Sequence, residues 1–240
     1  MTDSDFWDYP ADQRVKGHGE FTITVVLPPF ATGEAGFGPH DPGRARQFAE
    51  AFGTVDKVLE ELESTTAADY DSVVTRADLD LIRVGCWGNV IAIADPALAD
   101  NGVMCPVLEQ TNTLQLRYPD ALIVGSAWAD CGSSHAEDVI HLPGGLTLHT
   151  EGWPTEDSPY HLSGDLPAVL RALDIDPAIL PDEDIHLAQD PRSSNWSALG
   201  RLALGRSDPW GRSDLEMSAF RVRHTESATA LMEEKWLFDF

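Results

Sequence analysis

Lysine and cysteine are both scarce in this sequence, with three of each in 240 residues. Cys86, Cys105 and Cys131 are too few and too scattered for a disulfide framework, and no two form the C-x-x-C pair typical of thiolate zinc sites. Reduced thiols in a cytoplasmic protein are the simplest expectation. Long apolar runs are missing as well. The longest, such as 90–94, fall far short of the roughly 20 residues that cross a bilayer. Residues 1–12 are acidic rather than a basic segment leading into an apolar one, so a secretory leader is not expected. The G-x-x-x-x-G-K-[ST] phosphate loop, G-x-G-x-x-G, H-E-x-x-H and G-x-S-x-G do not occur, which removes the enzyme families that depend on them. No internal repeat or low-complexity linker divides the chain, so one domain is expected, with 1–16 as an irregular N-terminal arm.

Acidic charge is abundant instead. Forty Asp and Glu face sixteen Lys and Arg, a formal charge of -24. Such a field repels phosphate backbones and anionic membrane surfaces, so neither nucleic acid nor membrane is expected as a partner. It suits solubility first, and beyond that the steering of a basic protein partner. The charge is uneven: 65–160 holds 14 acids against Arg76, Arg83 and Arg117, whereas 192–223 holds six arginines against Asp208, Asp214 and Glu216. The late arginines are expected to fold back onto the acidic middle.

The apolar pattern supports a packed core. Residues 20–27 (EFTITVVL) alternate and are rich in β-branched side chains, which predicts a strand ended by Pro28-Pro29. Asp41 and Pro42 supply a helix cap and first turn, and Phe48, Phe52, Val55, Leu59 and Leu62 follow at helical spacing, so a helical segment is predicted over 41–62, with Gly53 placed to split it. Strands are predicted at 78–84, 90–94, 121–129, 138–142, 146–150 and 216–224. Helices are predicted at 106–116, 166–173, 194–204 and from Thr225 or Ser227 through Trp236. Strands cluster in the middle and strict β-α-β alternation is missing. The expected fold is therefore α+β, with a largely antiparallel central sheet and helices at both flanks of the sequence.

The segment 129–153 (ADCGSSHAEDVIHLPGGLTLHTEGW) carries the most chemistry. Placing Ile140, Leu142 and Leu148 on one buried face puts Val139, His141, His149 and Glu151 on the other, with His141 opposite His149 across a three- or five-residue loop. Two facing imidazoles and a carboxylate can hold zinc or another divalent metal, so His141, His149 and Glu151 form a candidate metal site with His135 as a further ligand. A polar face that merely carries histidine is the simpler reading. Cys131 and His135 form a second candidate, a thiol with a nearby base; a structural thiol beside a turn is its plainer alternative. The seven tryptophans serve either as core residues or as binding anchors.

The stretches 17–30 (GHGEFTITVVLPPF), 52–62 (FGTVDKVLEEL) and 220–236 (FRVRHTESATALMEEKW) resemble a family of uncharacterised actinobacterial proteins of about this length. That resemblance spans nearly the whole chain and implies a single domain, but assigns no residue a role. A fainter likeness, in composition alone, is to acidic bacterial toxin-immunity proteins. Two classes of function follow: an acidic binding protein for a basic protein partner, immunity-like in its most specific form, or a metal-dependent enzyme using the histidine hairpin.

Overall fold

The computed structural model describes residues 6–30, 37–69, 73–99, 102, 104–131, 134–154, 160–187 and 189–237. Residues 31–36, between the predicted first strand and the Asp41-Pro42 helix start, and residues 132–133, between Cys131 and His135, lie outside the described residues. Among the described residues ten strands form one sheet: β1 (His18–Val26), β2 (Val55–Glu61), β3 (Thr65–Thr66), β4 (Leu81–Trp87), β5 (Val90–Ala94), β6 (Leu122–Asp130), β7 (Ser134–His141), β8 (Thr147–Gly152), β9 (Tyr160–Gly164) and β10 (Glu216–His224). Their order is β2-β10-β4-β5-β1-β6-β7-β8-β9, with β3 on β10. Every pairing is antiparallel. The helices are α1 (Pro42–Glu50), α2 (Pro106–Arg117), α3 (Leu166–Ala172), α4 (Trp196–Leu204) and α5 (Glu226–Met232).

Both faces of the sheet are covered, and β1 shows why. Phe21, Ile23 and Val25 point into one apolar cluster with Phe48, Val107, Leu114, Met232 and Trp236. Val26 points into the other, with Val124, Ile140, Leu148, Val169, Trp196 and Leu199. A strand in mid-sheet that is apolar on alternate sides can only be satisfied by helices on both faces. Here α1, α2 and α5 take the first face, and α3 and α4 the second. The helix starts follow local chemistry: Asp41, Asp165, Asn195 and Thr225 each accept a backbone N–H from the first turn they cap. Among the described residues no helix is long and apolar enough to cross a membrane.

The helix expected over 41–62 stops at Glu50, and β2 replaces its second half. Phe48, Phe52 and Val55 are buried as that pattern required, while Leu59 and Leu62 are only half-buried and Val58, outside the pattern, is buried instead. The burial of Val58 in place of Leu59 has its origin in the pairing of β2. Val55 pairs with His224 and Val58 with Val222, and register shifts between them insert an extra residue into β2. A bulge of this kind lets buried positions recur three apart within a strand. Gly53 marks the change of element, since a Cβ there would stand 2.4 Å from Oε1 of Gln110 on α2.

Two further expectations shift. The connection between β4 and β5 is only Gly88-Asn89, because Gly85 to Trp87 remain in the strand. Gly85 allows this: a side chain there would strike the indole of Trp87, which lies back over it. Four of the late arginines have ion-pair partners outside the acidic middle, while Arg201 lines the same cleft as Asp138. Arg192, Arg212, Arg221 and Arg223 pair with Asp190, Asp214, Glu60 and Asp56. Close neighbours in sequence and the strand beside β10 reach these guanidinium groups first.

Candidate functional site

The β7–β8 hairpin turns through the three-residue loop 143–145, closed by hydrogen bonds from Leu142 N to Leu146 O (2.8 Å) and from Gly145 N to Leu142 O (3.1 Å). Ile140 pairs with Leu148, Val139 with His149 and His141 with Thr147. His141, His149 and Glu151 therefore share a face, but His141 and His149 are not directly opposite, because the three-residue loop is centred on Gly144, one residue earlier than that pairing needs. His141 is fully occupied. Its Nδ1 lies 2.8 Å from the Thr147 hydroxyl and its Nε2 lies 3.2 Å from the Thr111 hydroxyl of α2. Burial, reinforced by His149, lowers its pKa to about 4, so it is a neutral imidazole joining β8 to α2.

Glu151 stands between two other imidazoles, with His135 Nε2 at 3.6 Å and His161 Nε2 at 3.7 Å. His135 is buried, stacks edge-on against Trp153 at 4.9 Å, and has its pKa lowered to about 4 by burial and then by Lys235. Cys131, its proposed nucleophilic partner, has its thiol pKa raised by burial. Both directions oppose a thiolate–imidazolium pair.

A tighter group lies one step along the same face. The buried carboxylate of Glu137 accepts hydrogen bonds from Val107 N (3.0 Å) and Leu108 N (2.9 Å), fastening the start of α2. His149 Nε2 is 3.3 Å from Glu137 Oε1 and makes no hydrogen bond of its own. Cys105, the residue capping α2, completes the group: the ligand atoms of Cys105, Glu137 and His149 all lie within 4.8 Å of one another. Among the described residues this is the combination of His, Cys and acidic side chains that meets so closely. His149 was identified from the sequence, whereas Cys105 and Glu137 were not. The parity that aligned Val139 with His141 also aligns Glu137, so that residue was within reach; Cys105 arrives only through the packing of α2.

Asp138, the next residue, leaves β7 on the opposite face and meets a cleft of about 340 Å³ between the sheet and the start of α4. Ser126, its cross-strand partner, donates a hydrogen bond of 2.6 Å to Asp138 Oδ1. Trp128, Tyr160 and Trp196 supply aromatic walls, while Glu20 and Arg201 supply charge. A smaller adjoining cavity shares Glu20, Ser126, Ser197 and Arg201 with it. Burial pushes the Asp138 carboxyl up to about 7, with Glu137 adding to the push and Ser126 and Arg201 opposing it. Tyr160 is also pushed up by burial. Sequence patterning marked neither residue, because Asp138 stands on the face that Ile140 and Leu142 identify as core.

A single α+β domain with one antiparallel sheet, helices on both faces and a polar cleft under one of them is the class these features define. The chain matches the DUF6333 family, a family of unknown function, over residues 6–239, and it belongs to that family. No curated protein and no solved structure matches it.

Proposed function

We propose that this protein binds a small polar molecule carrying an amino group in the cleft between α4 and the sheet, with Asp138 and Glu20 facing the amine. The observation that carries this reading is the placement of Asp138, a carboxyl hydrogen-bonded by Ser126 at a cleft walled by three aromatic side chains and lined by a second carboxylate, Glu20. Pockets of roughly 300–1,000 Å³ with a few convergent polar groups are the usual form of a small-ligand site. Aromatic faces favour a cation, through their quadrupole, over an anion. The net charge of -24 acts in the same direction at long range. Arg201 on the α4 side of the cleft suits an acidic group on the same ligand, so an amino-acid-like zwitterion is the favoured class.

The test is a thermal-shift and calorimetric screen with free amino acids, their N-acetyl forms and simple sugars. Zwitterions should raise the melting temperature, N-acetylation should abolish the effect, and Asp138→Asn should lose the response while retaining the wild-type circular dichroism spectrum. Binding of sugars but not amines, or an undiminished response in Asp138→Asn, would defeat the proposal.

A further inference from the structure

We propose that Cys105, Glu137 and His149, on the sheet face opposite the cleft, form a binding site for a zinc-like divalent cation. The donor set is one that such ions prefer, since thiolate, imidazole and carboxylate are the three protein ligands of zinc. Three protein ligands leave a fourth tetrahedral position for water or substrate. The spacing fits as well. Two ligand atoms about 2.0–2.1 Å from a tetrahedral ion stand about 3.4 Å apart, and His149 Nε2 lies 3.3 Å from Glu137 Oε1. With all three ligand atoms inside 4.8 Å, closing the sulfur onto the ion requires a side-chain adjustment rather than a rearrangement of the backbone.

The surroundings prepare each ligand. His149 Nε2 is buried and makes no hydrogen bond, so it has a lone pair or proton without a partner other than the nearby carboxylate. Glu137 is held by two backbone N–H groups, yet each carboxylate oxygen keeps a second acceptor site. Those N–H bonds fix its direction, as the outer-shell hydrogen bonds of metal ligands commonly do. Cys105 stands at the N-terminal end of a 12-residue helix, where the helix dipole favours the thiolate that a metal needs. His141 is not part of the group, because both its nitrogens face threonine hydroxyls. His135 and His161 flank Glu151 farther along the same face.

Cobalt(II) and zinc(II) titrations of the full chain, purified without a histidine tag, test the site. The wild type should bind one ion per chain and, with cobalt, develop the near-ultraviolet sulfur-to-metal band of a thiolate ligand. Cys105→Ser should remove that band, and His149→Ala should weaken binding at least tenfold. His141→Asn should leave both unchanged. Should a variant fold poorly, the wild type still decides: zinc should protect Cys105 from iodoacetamide, mapped by mass spectrometry, while leaving Cys131 labelling unchanged. The inference is overturned by the absence of stoichiometric binding, by a sulfur band that survives Cys105→Ser, or by Cys105 labelling that is indifferent to zinc. The outcome is independent of the amino-acid screen, which reads the other face of the sheet.

Discussion

The imidazole of His224, near the end of β10, meets the carboxylate of Asp95 at 3.1 Å with neither side chain exposed to solvent. Asp95 also accepts from Ala97 N at 2.8 Å and from the Thr54 hydroxyl. Burial alone would raise the pKa of this carboxyl, but His224, Thr54 and Ala97 together hold it below the ordinary value. The pair thus ties β10, the turn before β2 and the turn after β5 into one buried network.

Asp95→Ala should therefore be among the most damaging single changes, because it strands a buried imidazole and a buried hydroxyl. A loss of roughly 3–5 kcal/mol is expected from breaking a buried pair, measured by urea unfolding. The sign of the pH dependence follows from the depressed pKa. The contribution of Asp95 is present above its unfolded value of 3.8 and is lost as pH falls through the lower folded value. The gap between wild type and variant should close below that range.

His141 gives the opposite kind of titration. Its folded pKa of about 4 lies below the ordinary 6.5, so the unfolded chain binds the proton first and stability falls as pH drops from 6.5 towards 4. His141→Asn should flatten this part of the stability profile. It should also cost roughly 1–3 kcal/mol near neutrality if the Thr111 and Thr147 hydroxyls lose their partner. Denaturant midpoints across that pH interval measure both effects, and a variant with an unchanged slope would show that other groups govern it.

Phe52 and Leu59 separate the observed strand from a continuous helix. Phe52 is 3% exposed and Leu59 is half-buried at the edge strand β2. Phe52→Ala should cost roughly 3–5 kcal/mol, and Leu59→Ala distinctly less. Equal losses would favour one helical stripe.

Gly85→Val should displace the indole of Trp87, since even a Cβ at that position would overlap the ring. Trp87 Nε1 donates to Glu216 O at 3.0 Å, so its displacement should also loosen the start of β10. The expected outcome is a cost of roughly 1–3 kcal/mol from overpacking together with a changed near-ultraviolet circular dichroism spectrum.

Much of this architecture was legible in the chain because burial and side-chain parity coincide in it. Thr24, Val25 and Val26 announce a strand, and Asp41-Pro42 announces a helix start. Parity also placed His141, His149 and Glu151 on one face. What it could not supply was distance along the strands: the loop at Gly144-Gly145 fixes the register, and a shift of one residue on each strand moves His141 from His149 to Thr147. The stretch 52–62 misled for a related reason: Val55, Leu59 and Leu62 keep helical spacing, yet β2 is a bulged strand that buries Val55 and Val58. Cys105 and Arg201 reach their sites on helices remote in sequence from β7, and no local pattern encodes that docking.

The strand order has a consequence for how the chain reaches this state. β10 lies between β2 and β4, two strands synthesised more than 120 residues earlier. Until residues 216–224 have been made, β2 has no neighbour in the sheet and β4 presents an open edge. Such an edge is a template for pairing with another chain. A nascent or truncated chain lacking β10 should therefore be the aggregation-prone species, and the insertion of that one strand both completes the ladder and closes the buried contact between Asp95 and His224.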